Sequence, residues 1–370
     1  WTDKKNLSDG KIRDLIEHLS TRKLGNKDYP TDLMGDAYEI LLKKFADDSK
    51  AKAGEFYTPR SVVQLLVRIL DPQPGESVYD PACGSGGMLI EAVHHMNHSS
   101  LCCGNIFGQE KNVVNSAIAK MNLFLHGASD FNIMQGDTLR NPKILQGGEV
   151  AKFDCVIANP PFSLEKWGSV EWSSDKYGRN IWGTPSDSCG DYAWIQHMIA
   201  SMAPGKGRMA VVMPQGVLFR GNEEGRIREK LVKSDMVEAV VTLGEKLFYG
   251  TGLSPCFLII RKMKPATHSA RVLMIDGTKI LTPKRAQNIL EQKDVDQLFE
   301  LYVNYENVED FSQVVTLEDI AAKGYDLSPN KYVQYHREAI KPYAEVLAAF
   351  KAAYEEVKLR EAEFRNIINA

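Results

Sequence analysis

The sequence has no C-x-x-C pair; its six cysteines, Cys83, Cys102, Cys103, Cys155, Cys189 and Cys256, are scattered along the chain. With no signal-like start, that usage fits a reducing cytosol rather than a disulfide framework. No apolar run approaches the ~20 residues a membrane helix needs. The expectation is a cytoplasmic protein with no membrane partner. Positive charge is not in excess either: the formal net charge is −3. That excludes a chain whose whole surface binds polyanions, and leaves nucleic-acid contact to a local patch or to a partner. There is no internal repeat and no low-complexity tract. There is no initiator Met, since Trp1 stands first, which points to a segment upstream. What is present is 370 residues with 44% apolar and 25% charged side chains, the balance of an ordinary globular protein. This length allows about two to three domains, or one large core with helical additions.

His94, His98 and Cys102 recur at helical spacing and could face one metal ion. Structural zinc sites show tighter paired spacing. A polar helix end running into a loop is the plainer account, and no metal site is expected.

Residues 1–52 read as helices, with Ile12, Leu15, Ile16 and Leu19, then Leu33, Ala37, Ile40, Leu41 and Phe45, at helical spacing. Asp47 to Gly54 is a polar, small-residue linker. Thr58-Pro59 opens an apolar helix, Val62 to Leu70, with Thr58 as N-cap and Pro59 in the first turn. From there strands and helices alternate. Strands are expected near Ser77–Tyr79, Ile106–Gln109, Phe131–Gln135, Phe153–Ala158, Gly207–Met213, Val237–Leu243, Cys256–Arg261 and Arg271–Asp276. Helices fall between them at Gly87–Met96, Val113–His126, Ala193–Met202 and Glu224–Val232. Such alternation predicts a doubly wound, parallel α/β sheet. Gly244 to Pro255 is too short for a helical crossover, so the strands on either side of it should form an antiparallel hairpin at one edge. Lys284–Tyr302 and Leu317–Ala322 look helical, and Glu338–Ile368 is a long charged helix. The expected domains are 1–52, 53–335 and 336–370.

Asp80-Pro81-Ala82-Cys83-Gly84-Ser85-Gly86-Gly87 follows a strand and opens a helix. Glycines there allow a tight turn and close approach to a ligand. The dinucleotide pattern G-x-G-x-x-G fails, because Leu89 replaces the third glycine. Glu110 also lies well beyond the ~20-residue spacing of that fingerprint. Asp80, Glu110 and Asp137 stand at three successive strand ends. Each alone reads as a helix cap. Together they favour a ligand with a cationic end and a ribose diol, S-adenosylmethionine, over a phosphate they would repel.

These residues carry a resemblance. Asp80 to Gly87 resembles the first motif of S-adenosylmethionine methyltransferases. Glu55-Phe56-Tyr57-Thr58-Pro59-Arg60 is similar to the segment that precedes this motif in amino-methyltransferases and contacts the methionine end. The resemblance implies cofactor contacts from Glu55, Phe56, Tyr57, Thr58, Pro59, Arg60, Asp80, Gly84, Ser85, Gly86 and Gly87. It assigns the ribose hydroxyls to Glu110 and the adenine amino group to Asp137. Asn159-Pro160-Pro161-Phe162, after the strand ending at Ala158, resembles the [D/N/S]-P-P-[Y/F/W] motif of enzymes that methylate exocyclic or amide nitrogen.

The chemistry accounts for those residue types. An adenine N6 amine is a poor nucleophile, its lone pair being delocalised into the ring. The Asn159 side-chain oxygen and the Pro160 carbonyl can accept its two hydrogens and favour a pyramidal nitrogen, a preorganised electrostatic effect. The prolines hold that backbone. Phe162 offers a stacking face, and Phe248, after Leu243-Gly244-Glu245-Lys246-Leu247, is expected to cover the other. Tyr249 is its rival, and core packing the bland alternative. Direct in-line transfer is expected, without a cysteine nucleophile.

The motif order, together with Gly183–His197, Met213–Gly221 and Ala286-Gln287-Asn288, resembles modification (M) subunits of type I restriction–modification systems, from about Leu33 to Val333. The resemblance implies N6-adenine DNA methylation with S-adenosylmethionine, a Rossmann-like methyltransferase sheet flanked by helical segments, a separate specificity (S) subunit, a restriction (R) subunit, and duplex DNA with a flipped adenine. Such subunits carry a longer N-terminal helical domain than appears here. Two other classes are open. One is an Asn-Pro-Pro-aromatic methyltransferase acting on protein glutamine or RNA. The other is a non-catalytic scaffold. Lys206, Arg208, Arg220, Arg226, Arg228, Lys230 and Lys233 form a candidate DNA patch or, more plainly, a solvated helix face. Tyr343, Phe350, Val357 and Phe364 recur every seven residues, with Val346, Ala353 and Ile367 at the companion position and Arg360 the exception, a seam suited to another helix; packing on the chain's own body is the alternative.

Overall fold

The strands of this chain form as near-continuous apolar runs, such as Met209–Val212, Val237–Leu243 and Val272–Ile275, because both of their faces are covered. The computed structural model describes residues 8–21, 58–97, 105–128, 130–248, 254–285, 287–336 and 343–368. In chain order the elements are α1 (Asp9–Ser20), α2 (Arg60–Leu70), β1 (Val78–Asp80), α3 (Gly87–Asn97), β2 (Ile106–Glu110), α4 (Val113–Leu125) and β3 (Phe131–Gln135). Then come β4 (Leu145–Gln146), β5 (Glu149–Val150), β6 (Cys155–Ala158), α5 (Ser169–Ser173), α6 (Asp191–Ala200) and β7 (Arg208–Pro214). The remainder is α7 (Asn222–Lys233), β8 (Val237–Leu243), β9 (Pro255–Arg261), β10 (Arg271–Gly277), α8 (Gln292–Asn304), β11 (Ser312–Thr316), α9 (Leu317–Ala322) and α10 (Tyr343–Ile368).

Among the described residues nine strands make one sheet in the order β11-β10-β8-β9-β7-β6-β1-β2-β3, while β4 and β5 pair separately. From β3 to β7 every neighbouring pair is parallel. The chain builds outward from β1 through β2 to β3, then returns to β6 on the other side of β1. The crevice between the carboxyl ends of β1 and β6 is therefore the topological switch point, where open α/β sheets bind ligands. Alternate strand residues feed two layers. Ala210, Val212 and Val241 face the layer that includes α2, α3, α4 and α8. Met209, Val211 and Val240 face the layer that includes α6 and α7.

The expected α/β fold is present, with corrections in detail. The β8–β9 hairpin forms but is not at an edge: β9 lies antiparallel between β7 and β8, and β10 and β11 extend the sheet beyond them. β11 was not legible, being short and only partly buried. Residues 284–285 and 287–291 are not helical. Asn288 and Gln287 donate side-chain bonds to the Glu245 and Leu247 carbonyls, and α8 begins only after a Glu291/Asp294 capping box.

The chain divides into two compact units, 1–333 and 334–370. The second contains α10, a helix with Glu356–Arg360 and Glu361–Arg365 pairs at i,i+4, the favourable order of charges. Its seam residues Tyr343, Val346, Phe350, Val357 and Phe364 are all exposed. The side chain of Ile367 lies outside the described residues. No helix among the described residues is long and apolar enough to cross a membrane.

Candidate active site at the sheet's switch point

The loop after β1 turns where its glycines allow it. Gly84 and Gly86 have φ of +52° and +87°, a region L side chains rarely adopt. A Cβ on Gly86 would also sit 3.4 Å from Ala119 of α4, so the turn is pressed onto that helix. Asn122, buried on α4, donates to the Ser85 carbonyl at 3.1 Å. Thr138 donates to the Pro81 carbonyl at 2.6 Å. Sequence reasoning missed both. The only signal for Asn122 is a polar residue between Met121 and Leu123.

Glu110, at the end of β2, accepts from the backbone N–H of Gly84 (3.0 Å) and of Asn112 (2.7 Å). A carboxylate has about four acceptor positions, so capacity for a ribose diol remains. Asp80 is buried beneath the turn and accepts from the Ala82 N–H at 2.9 Å. Burial, reinforced by the Glu110 charge and opposed by the Ala82 bond, pushes its carboxyl up to about 8. Asp137 is committed differently. It pairs with Lys111 (2.9 Å) and Arg140 (3.5 Å) and accepts from the Arg140 N–H, which is the behaviour of a turn anchor.

The Asp80 environment has a measurable consequence. Below about pH 8 the cofactor-free protein keeps this carboxyl protonated, while a cationic ligand end requires the carboxylate. Binding should therefore release a proton, and affinity for S-adenosylmethionine should rise by up to about tenfold per pH unit from roughly pH 6 to 8. Because the folded-state value lies above the unfolded one, the same group stabilises the cofactor-free fold fully only at low pH. That contribution is lost as pH rises through about 8. Calorimetric titration of the parent and of Asp80→Asn across this range checks it. An equal slope in both proteins would remove Asp80 from the site.

At the neighbouring strand end, β6 delivers Asn159. Its side-chain Nδ2 donates to Thr58 Oγ1 at 2.9 Å. Its Oδ1 is buried and has no hydrogen-bond partner. A buried acceptor left unsatisfied is costly, so this atom points to a donor supplied by a ligand. The Thr58 contact corrects the sequence reading. Pro59, not Thr58, is the N-cap of α2, and its ring has no atom to make a side-chain bond, while the Thr58 hydroxyl is turned to Asn159. Pro59 is half-buried and Arg60 exposed, and both lie at the start of that helix. Glu55, Phe56 and Tyr57 lie outside the described residues, as do Tyr249, His98 and Cys102.

Phe162 is partly buried, and its ring centroid lies 6.4 Å from that of Phe248 at 54°. Phe248 is itself buried at 4% exposure. The two expected stacking rings are thus brought together, but they pack on each other and on the core. The loop bearing Phe248 is held by Gln287 and Asn288. The Pro255-Cys256 dipeptide supplies no nucleophile: Cys256 is fully buried within β9, and burial raises its thiol far above the usual range.

Part of the basic stretch is committed to the fold, while Lys206, Arg226, Lys230 and Lys233 are exposed. Arg208 is buried against Glu76, Arg228 donates to the Tyr325, Val217 and Arg220 carbonyls, and Arg220 pairs with Asp191 and Glu224. Lys206, Arg226 and Lys233 pair with Asp154, Glu223 and Glu229, and Lys230 donates to the Trp182 carbonyl. Much of this charge serves the fold.

A glycine turn after β1, acids at the ends of β1 and β2, and Asn-Pro-Pro-Phe after β6 are arranged on a Rossmann-like methyltransferase fold. The family described as N-6 DNA Methylase matches residues 29–340, and the chain belongs to that family. It is similar to the methylase subunit of the type I restriction enzyme MjaVII of Methanocaldococcus jannaschii, with 35% identity over 87% of this chain and 56% of the relative. It is similar, too, to the HindI methylase subunit of Haemophilus influenzae, with 30% identity over 90% of this chain and 76% of the relative. Among solved structures, a type I restriction-modification methyltransferase subunit from Streptococcus thermophilus superposes with a TM-score of 0.78 at 29% identity, covering 88% of this chain and 68% of that one. The chain thus spans little more than half of the Methanocaldococcus relative's length.

Proposed function

We propose that this chain is the modification subunit of a type I restriction–modification enzyme, transferring a methyl group from S-adenosylmethionine to adenine N6 in DNA. The observation that carries the reading is the buried, unpartnered Oδ1 of Asn159, locked by Thr58 beside the glycine turn. The family match supports DNA over the protein-glutamine and RNA alternatives.

The Gly84–Gly87 turn, Asp80 and Glu110 suit S-adenosylmethionine, whose sulfonium supplies an electrophilic methyl when bound. Asp80 meets the cationic amino-acid end, and Glu110 the ribose hydroxyls. The engaged carboxylate of Asp137 leaves it a smaller part, an acceptor for the cofactor's adenine amino group. Thr58 orients the Asn159 amide so that its oxygen, not its nitrogen, faces the substrate. That oxygen and the Pro160 carbonyl accept the two amine hydrogens, and the nitrogen lone pair is directed at the methyl. Extruding the base from the duplex costs a few kcal/mol. Stacking on Phe162 returns ~1–3 kcal/mol, with Phe248 serving the second face once the two rings separate. The nitrogen–methyl bond would form as the methyl–sulfur bond breaks, and the excess proton of the amine would pass to solvent, with no covalent bond to the enzyme.

The partners of the reading are a sequence-reading specificity subunit, a restriction subunit and duplex DNA, in the cytoplasm. Labelled methyl transfer by the full-length protein with its specificity subunit tests it. Incorporation is expected into unmethylated DNA, at adenine. Incorporation into RNA or release-factor protein but not DNA would overturn it.

A further inference from the structure

We propose that Asp191, with Arg220 behind it, is a positioning residue for methyl transfer that holds the Asn159–Phe162 turn in its reactive shape. The inference rests on the methyltransferase reading above. Pro160 and Pro161 remove two backbone donors from that turn, so it has little hydrogen bonding of its own. Just past it, Ser163 adopts φ +49°, unusual for a residue with a Cβ. Its N–H donates to Asp191 Oδ1 at 2.7 Å. This bond anchors the far end of the turn, as Thr58 anchors the near end.

Asp191 is completely buried at the first residue of α6, where the helix dipole favours a carboxylate. Its other oxygen, Oδ2, accepts from Arg220 Nη1 at 2.9 Å and from Cys189 Sγ at 3.2 Å. The same Arg220 nitrogen lies 3.2 Å from both Glu224 oxygens. Cys189, Asp191 and Glu224 are grouped closely enough to hold a metal ion, but the guanidinium already is their cation. Gly216 makes room for it: a Cβ there would lie 2.3 Å from Arg220 Nε. Two separate segments, the loop before α6 and the turn after β7, thereby converge on one backbone N–H of the reactive loop. A charged brace is stiffer than a neutral one, since charge-assisted bonds are roughly twice as strong.

The test uses the full-length protein with its specificity subunit. Asp191→Ala leaves the half-buried Arg220 still paired with Glu224, so the local charge stays balanced, and Asp191→Ala/Cys189→Ala is made alongside it so that the Cys189 thiol is not left without its acceptor. Both should bind S-adenosylmethionine within about twofold of the parent, while single-turnover methyl transfer falls about a hundredfold, the scale of a 1 Å misplacement. Asp191→Asn, which keeps an acceptor for the Ser163 N–H, should recover most of the rate. A folded double variant that transfers methyl within threefold of the parent would overturn the proposal. So would a parallel loss of cofactor binding and rate, which a merely structural role predicts. A parent complex inactive on DNA would instead defeat the reading beneath it.

Discussion

Asn159→Ala is expected to leave S-adenosylmethionine binding unchanged and to lower methyl transfer by about 10²–10³-fold, the loss seen when one preorganised group facing developing charge is removed. The Oδ1 atom makes no hydrogen bond within the protein, so removing the amide breaks one hydrogen bond described in the fold, that of Nδ2 to Thr58. Its interaction is realised only with the amine as charge develops, so the effect belongs in the rate constant. Thr58→Val should give a smaller loss, since the amide remains but is free to turn its nitrogen inward. Phe162→Tyr should keep activity and Phe162→Ala lose most of it, because stacking requires an aromatic face. Rapid-quench measurement with the partner subunits present reads all four. Robust turnover by Asn159→Ala would remove this residue from the chemistry.

The second large effect concerns α10. Removing residues 343–370 is expected to abolish co-purification with the specificity subunit while cofactor binding persists. Tyr343, Phe350 and Phe364 are 79%, 65% and 62% exposed, on a helix that also carries the Glu356–Arg360 and Glu361–Arg365 pairs. A seven-residue apolar repeat of this size favours packing against a helix of another chain, and large aromatics favour a bundle over a tight two-stranded coil. Interface energy concentrates in a few large side chains. Phe350→Glu in the full chain should therefore weaken the complex by at least about a hundredfold without truncation. A truncated chain that still forms the complex at full affinity would show the docking assignment to be wrong.

Local chemistry was readable along the chain because it depends on near neighbours. Apolar runs of four to seven residues separated by helical patterns determined the α/β class. The Asp80–Gly87 turn was legible because glycine takes the positive φ of positions 84 and 86 far more readily than a residue with a Cβ. Asn159-Pro-Pro-Phe162 was legible because so rare a tetrapeptide ends a strand. Long-range pairing was not. Strand order is set by which faces bury one another, and nothing within Val237–Leu243 or Pro255–Arg261 says that β10 and β11 will cover the hairpin's outer side. Thr58 read as a helix cap because Ser and Thr before Pro usually are. Only the fold brings its hydroxyl to an amide about a hundred residues away, at 2.9 Å. Arg220 read as a free cation for the same reason. Its partners Asp191 and Glu224 lie on two different helices, and their burial turned a surface-like charge into the brace of the reactive loop.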